Sequence, residues 1–180
     1  MLRTKDILDE KDPRVRAKNT DVDFPLNDEY KDIIPEMLKH LRYSQIEKLS
    51  KKYDLRPGMG LAAPQLGINK NFFVVCYEVK DGVFDDYILI NPKVISYSEE
   101  MIYAGEGCLS VNREVEGIVP RHARITVEAY DLDGNKRKYR VREDLAIAFQ
   151  HELDHLNGIL FVDYIDPKDP YKNADLYREI

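Results

Sequence analysis

His151-Glu152-Leu153-Asp154-His155 puts two imidazoles and a carboxylate within five consecutive residues, and Cys108 stands upstream in Glu106-Gly107-Cys108-Leu109-Ser110. On a helix, residues i and i+4 share a face, so His151 and His155 project to one side. Such a pair grips one divalent ion from a rigid support and leaves Glu152 beside a metal-bound water. The bland alternative is a solvated helix whose Glu152 and Asp154 pair with nearby bases. Leu145, Ile147, Ala148 and Phe149 make the segment more apolar than a solvated helix should be.

Two helical histidines need a further ligand. No histidine follows His155, and the other two, His40 and His122, lie upstream. His40 falls in the first helical pattern and reads as a surface or satisfied residue. His122, beside Arg121 and Arg124, reads as a partner for a carboxylate or for solvent. Asp163 and Asp166 are carboxylate candidates with nothing around them to recommend the role. Cys108 is the better candidate, because a thiolate is a strong ligand for a divalent transition metal. A Cys-His-His set with water in the fourth place is an open, catalytic arrangement. Cys76, in the apolar run Phe72-Phe73-Val74-Val75-Cys76-Tyr77, reads as a small buried hydrophobe.

The elements that position these residues follow from pattern. Glu143 and Asp144 place acid at the start of the metal-bearing helix, good helix formers run to Leu156, and Gly158 is placed to stop it. Asn27 caps an earlier helix in which Ile33, Ile34, Met37, Leu38 and Leu41 recur at helical spacing. Pro35 either starts or bends that helix. Helical character runs on toward Leu49 and stops by Arg56-Pro57-Gly58. The small residues of Gly58-Met59-Gly60-Leu61-Ala62-Ala63-Pro64-Gln65 suit close backbone approach to a strand, a ligand or a metal site. Phe72 to Tyr77, Tyr87 to Ile90 and Lys93 to Ser98 read as strands, the last two separated by Asn91-Pro92. Arg124 to Tyr130 alternates, with Ile125, Val127 and Ala129 on one face. It turns through Asp131-Leu132-Asp133-Gly134 into Lys136 to Val141, a hairpin. The expected fold is α+β: an N-terminal helix and largely antiparallel β-sheets packed around a central metal-binding helix. No domain boundary is visible, so residues 1–180 are expected to form one catalytic domain. Residues 167–180 form a polar tail that covers the surface or is partly mobile.

Bulk properties narrow the function. The chain has 180 residues, 43% hydrophobic and 33% charged, which suits a globular protein with a sizeable core. No stretch is long and apolar enough to cross a bilayer, so no membrane partner is expected. The first residues lack the apolar run of a secretory signal, and the cytoplasm is the expected location. A net charge of −6 argues against general nucleic-acid binding, and no specific DNA partner is expected. A local basic stretch, Arg121 to Arg142, could touch ribosomal RNA or be a solvated hairpin face. Two cysteines make no disulfide framework.

Three segments together resemble the peptide deformylase family: Gly58 to Gln65, then Glu106 to Ser110, then Gln150 to His155. They match its three signatures in order, and the resemblance covers about Pro13 to Asp166. The spacer before the second signature, and Val111 to Gly117 after it, resemble the type II branch found in Gram-positive bacteria and their relatives. The resemblance implies removal of the formyl group from the N-terminal formylmethionine of nascent peptides, with release of formate. Cys108, His151 and His155 would hold the metal, whose bound water is the nucleophile. Glu152 would act as general base and then acid. Gln65 and the Leu109 N–H would stabilise the developing oxyanion, and Gly60 would let the substrate main chain approach. The resemblance also implies Fe2+ as the native ion, with Zn2+ or Ni2+ possible in purified protein. An endopeptidase sharing the helix motif, a non-catalytic binder of nascent chains and a purely structural metal site are the rivals.

Overall fold

The computed structural model describes residues 1–180. After two short 3-10 turns, Thr4–Asp6 and Pro13–Arg16, come two helices, α1 (Asp28–Gln45) and α2 (Glu47–Tyr53). The Asn27 side chain caps α1 by accepting from the Glu29 N–H, which satisfies one of the free donors of the first turn. The helix starts at Asp28 and continues through Pro35, so the proline marks neither end. Ile46 takes an extended conformation and separates α1 from α2. The helical character read as continuous toward Leu49 is therefore two helices.

A five-stranded antiparallel sheet forms the centre, in the order β1 (Gly60–Ala62), β2 (Phe72–Lys80), β3 (Val83–Tyr97), β6 (Arg124–Tyr130), β7 (Lys136–Arg142). Both faces of this sheet are covered, which explains the unbroken apolar run of β2. Phe72, Val74 and Cys76 pack with Ile34, Met37, Leu38 and Leu41 of α1. Phe73 and Val75 turn the other way, onto the helix α3 (Glu143–Leu156). Strand alternation thus divides one sequence between two cores.

The sequence reading broke β3 at Asn91-Pro92, and the structure does not. Pairing with β2 ends at Ile90, which already pairs with Tyr130 of β6 as well, and pairing with β6 resumes at Lys93 after a register shift. A proline is tolerated at such a bulge because no ladder donor is needed there. The β2–β3 hairpin, turning at Asp81-Gly82, had no apolar alternation to announce it. The β6–β7 hairpin and α3 lie where pattern put them.

A second sheet has three strands, in the order β5 (Arg121–His122), β4 (Met101–Tyr103), β8 (Arg178–Glu179). β8 lies parallel to β4, so the end of the polar tail returns to the body of the fold. The fold is α+β, with both sheets arranged about α3. No helix is long and apolar enough to cross a membrane.

Candidate metal centre

α3 is held by its apolar side. Phe149 is fully buried and meets Phe73, Tyr87 and Tyr139 edge-on or nearly so, at centroid distances of 5.8, 5.5 and 6.1 Å. Such aromatic pairs contribute roughly 0.5–1.5 kcal/mol each beyond area burial. Gln150 adds a polar tie, accepting from the His122 N–H and donating to the His122 carbonyl, both at 2.9 Å. With one side fixed, His151, Glu152 and His155 are fixed on the other, and all three are buried. Gly158 ends the helical segment with φ +71°, a conformation glycine adopts without a Cβ penalty.

Cys108 arrives from the irregular segment between β4 and β5. Its Sγ lies 3.3 Å from His155 Nε2. One ligand atom from each of Cys108, His151 and His155 lies within 4.8 Å of the others. These donors fit a transition metal: one thiol sulfur and two imidazoles, with no carboxylate in the group, select against magnesium and calcium. The structure brings none of the other candidate metal ligands to this point. Asp163 pairs with Arg16 and Asp166 with Lys172. His40 is fully buried, not a surface residue, with Nδ1 near the Leu2 carbonyl at 3.2 Å. His122 Nδ1 lies 2.7 Å from the Ser98 carbonyl.

A buried charge network, which sequence reasoning missed, supports His151, whereas His155 Nδ1 is buried without a partner. Glu106 Oε1 lies 2.9 Å from His151 Nδ1 and accepts from Arg121 Nη2 at 2.9 Å, while Glu106 Oε2 accepts from Arg121 Nε at 2.9 Å. Arg121 also donates to Asp154 Oδ2 at 2.6 Å. Arg121, read as one member of a basic stretch, is only 3% exposed. Burial works against charge on His151, yet its hydrogen bonds to Cys108 and Glu106 together hold its pKa well above the usual imidazole value. Burial drives His155 the other way, well below that value, helped by the charges of His151 and Arg121. Burial also raises Glu106, but His151 and Arg121 outweigh it and leave the carboxyl below its ordinary range.

Glu152 stands beside the three donors and belongs to no ion pair. Its Oε2 is buried with no partner in the protein, and burial raises its pKa to about 7. A carboxyl poised near neutrality can take and return a proton at working pH. A Cβ built on Gly60 would lie 2.2 Å from Glu152 Oε1, so the glycine is what makes room for the carboxylate. Gln65 is 1% exposed. Its Oε1 accepts from the Ala62 N–H at 2.9 Å, and its Nε2 lies 3.1 Å from Ser110 Oγ and 3.6 Å from Cys108 Sγ. The Leu109 N–H has no acceptor in the protein. A cleft of about 310 Å³ opens over these groups, walled by Gly58 to Gly60, Gly105 to Leu109, and Ile147 and Ala148 of α3.

A buried Cys-His-His donor set with a free carboxyl beside it, under a small cleft in an α+β fold, is the arrangement of a metal-dependent hydrolase. A family model described as polypeptide deformylase matches residues 4–171. The chain is 50% identical over 175 residues to a peptide deformylase of Macrococcus caseolyticus (strain JCSC5402), covering 96% of this chain and 95% of that protein. It is 45% identical over 177 residues to a peptide deformylase 2 of Bacillus anthracis, covering 97% and 96%. A probable peptide deformylase from Synechococcus phage S-SSM7 superimposes with a TM-score of 0.74 at 35% identity, over 88% of this chain and 98% of that one. The chain belongs to the peptide deformylase family, hydrolases that act on formylated nascent peptides.

Proposed function

We propose that Cys108, His151 and His155 hold one divalent ion, and that Glu152, Gln65 and Leu109 carry the deformylation chemistry around it. A divalent cation bound there supplies Lewis acidity, which brings the pKa of water toward neutrality and polarises a carbonyl. Glu152 accepts the attacking water's proton at its unpartnered Oε2 and returns it to the departing amine nitrogen. The Gln65 amide and the free Leu109 N–H donate to the formyl oxygen as it gains charge. One such donor contributes about 2.7–4 kcal/mol of transition-state stabilisation. Gly60 admits the substrate main chain alongside β1, where it can pair as an added strand.

The observation that carries this reading is the buried Glu152 carboxyl, free of any ion pair and adjacent to three metal-type donors. The test is formate release from a formyl-Met peptide against its acetylated analogue and an internal amide. Preference for the formyl substrate is expected; preference for the internal amide would favour the endopeptidase.

Ferrous iron is the ion we propose for the cell, with zinc or nickel entering on purification. A thiolate beside iron is open to oxidation, so activity should decay in air and persist with reductant or nickel. Equal lifetimes with and without oxygen would count against iron. Both cysteines are free thiols, which supports a cytoplasmic setting. We also read residues 1–180 as one catalytic domain, supported by the family match from residue 4 and by the pairing of β8 with β4. Ribosome contact through residues 121–142 draws weaker support. Lys136 and Lys138 lie close to Glu128, and Arg137 to Asp131. Salt-dependent co-pelleting with ribosomes would support that contact, and no binding at any salt would dismiss it.

A further inference from the structure

The segment carrying Cys108 has almost no regular structure of its own. It is held from outside by Arg56, whose sequence context, Arg56-Pro57-Gly58, reads only as a helix stop. Arg56 Nη2 donates to the Cys108 carbonyl at 3.0 Å and to the Val111 carbonyl at 3.0 Å. Nη1 donates to the Leu109 carbonyl at 3.4 Å and also meets Asn112 Oδ1. One guanidinium therefore gathers three carbonyls from a four-residue turn, and none of its hydrogen bonds goes to a carboxylate. Its own backbone is anchored nearby: Leu55 is buried, and the Gly58 N–H donates to Ser44 Oγ at 3.1 Å.

We propose that Arg56 is a positioning residue that aims the Leu109 N–H into the cleft by gripping the carbonyl of the same peptide plane. This rests on the reading of that N–H as an oxyanion donor. The peptide unit is planar and trans, so its C=O and N–H point in opposite directions. The Cys108 carbonyl and the Leu109 N–H belong to one plane. Tying that carbonyl to Arg56, at one wall of the cleft, turns that N–H away from the guanidinium, where it has no protein acceptor. The next plane repeats the relation: the Leu109 carbonyl faces Arg56, and the Ser110 N–H lies 3.5 Å from Cys108 Sγ. The same grip thus orients a donor toward the reacting oxygen and a donor toward the sulfur. The only backbone bond inside the turn, Val111 N–H to the Cys108 carbonyl at 3.1 Å, leaves the Leu109 carbonyl to Arg56 alone. A cation on a carbonyl also polarises its peptide and strengthens the opposite N–H as a donor.

The test compares Arg56→Ala and Arg56→Lys with wild type as nickel-loaded enzyme, on a formyl-Met peptide. Misplacing a catalytic donor lowers the rate by up to about 100-fold. Arg56→Ala should therefore lower kcat by about 10- to 100-fold with KM nearly unchanged, and Arg56→Lys should recover part of it. Cobalt-loaded Arg56→Ala should show a shifted sulfur-to-cobalt charge-transfer band, a readout independent of turnover. If Arg56→Ala does not fold, the same comparison on a folded Arg56→Lys decides. Unchanged kcat and band in the folded variant would overturn the proposal, as would losses in kcat and stability that lysine does not relieve. Gln65→Ala run alongside separates the two claims. If it is impaired while Arg56→Ala is not, the positioning role alone fails. If Gln65→Ala loses nothing, the oxyanion reading beneath the proposal falls with it.

Discussion

Glu106 Oε1 lies 2.9 Å from His151 Nδ1, and this contact decides which nitrogen of the histidine is left for a metal. A carboxylate on Nδ1 holds the proton there and frees Nε2 for the ion. Arg121, bonded to both oxygens of Glu106, keeps that carboxylate charged inside the protein.

Replacing Glu106 by Gln keeps the volume and removes the charge. Metal affinity should fall by about 10- to 100-fold, the usual cost of disturbing such a partner. Arg121 would lose the better of its two buried partners, so the melting temperature should drop as well. Competition with a chelator and thermal unfolding read the two effects. Unaltered affinity would show that Glu106 does not govern His151.

Replacing Glu152 by Gln should leave metal content intact and lower kcat by about 10²- to 10⁴-fold, the span of general acid–base catalysis. Metal analysis beside formate release checks this. Full turnover in the variant would remove Glu152 from the mechanism, and loss of metal would make it a ligand.

Gly60→Ala acts on the same carboxylate from the opposite side. Its Cβ would fall 2.2 Å from Glu152 Oε1, so the side chain must shift. Turnover should fall while the fold survives, because the collision is with a side chain and not with backbone. A fully active Gly60→Ala protein would mean that the carboxylate position is not critical.

β8 should respond to acid. Arg178 bonds Glu100 at 2.8 Å and Glu143 at 2.8 Å, and these contacts, with Arg124 also on Glu100, lower both carboxyl pKa values. A carboxyl whose pKa is lowered by docking stabilises the docked state above its ordinary value of 4.5 and loses that effect as pH falls through the lowered one. The Ile180 amide, bonded to the Tyr103 carbonyl at 3.1 Å, should exchange faster with solvent in that acid window than its intrinsic rate explains. Arg178→Ala should show the fast exchange already at neutral pH. Insensitivity to both changes would contradict the tie.

The sequence carried α3 and the β6–β7 hairpin nearly to the residue, because periods of 3.6 and 2 are plain there and turn or stop residues flank them. Cys108, His151 and His155 stood out because each type is a metal ligand. Arg121 did not, since an arginine among basic neighbours looks solvated. Its burial depends on Glu106 and Asp154, which lie far from it in the chain. Arg56 was hidden for the same reason: its partners are backbone carbonyls, which carry no sequence signal. β3 was split at Pro92 because a proline argues against a strand unless the partner changes there, and that change is a property of the whole sheet.

The most direct measurement of the central claim is X-ray absorption at the metal edge of anaerobically purified protein. One sulfur and two imidazole nitrogens around a single ion, with the sulfur lost in Cys108→Ser, is the result expected. A shell of nitrogen and oxygen alone, unchanged in that variant, would contradict the site described for Cys108, His151 and His155.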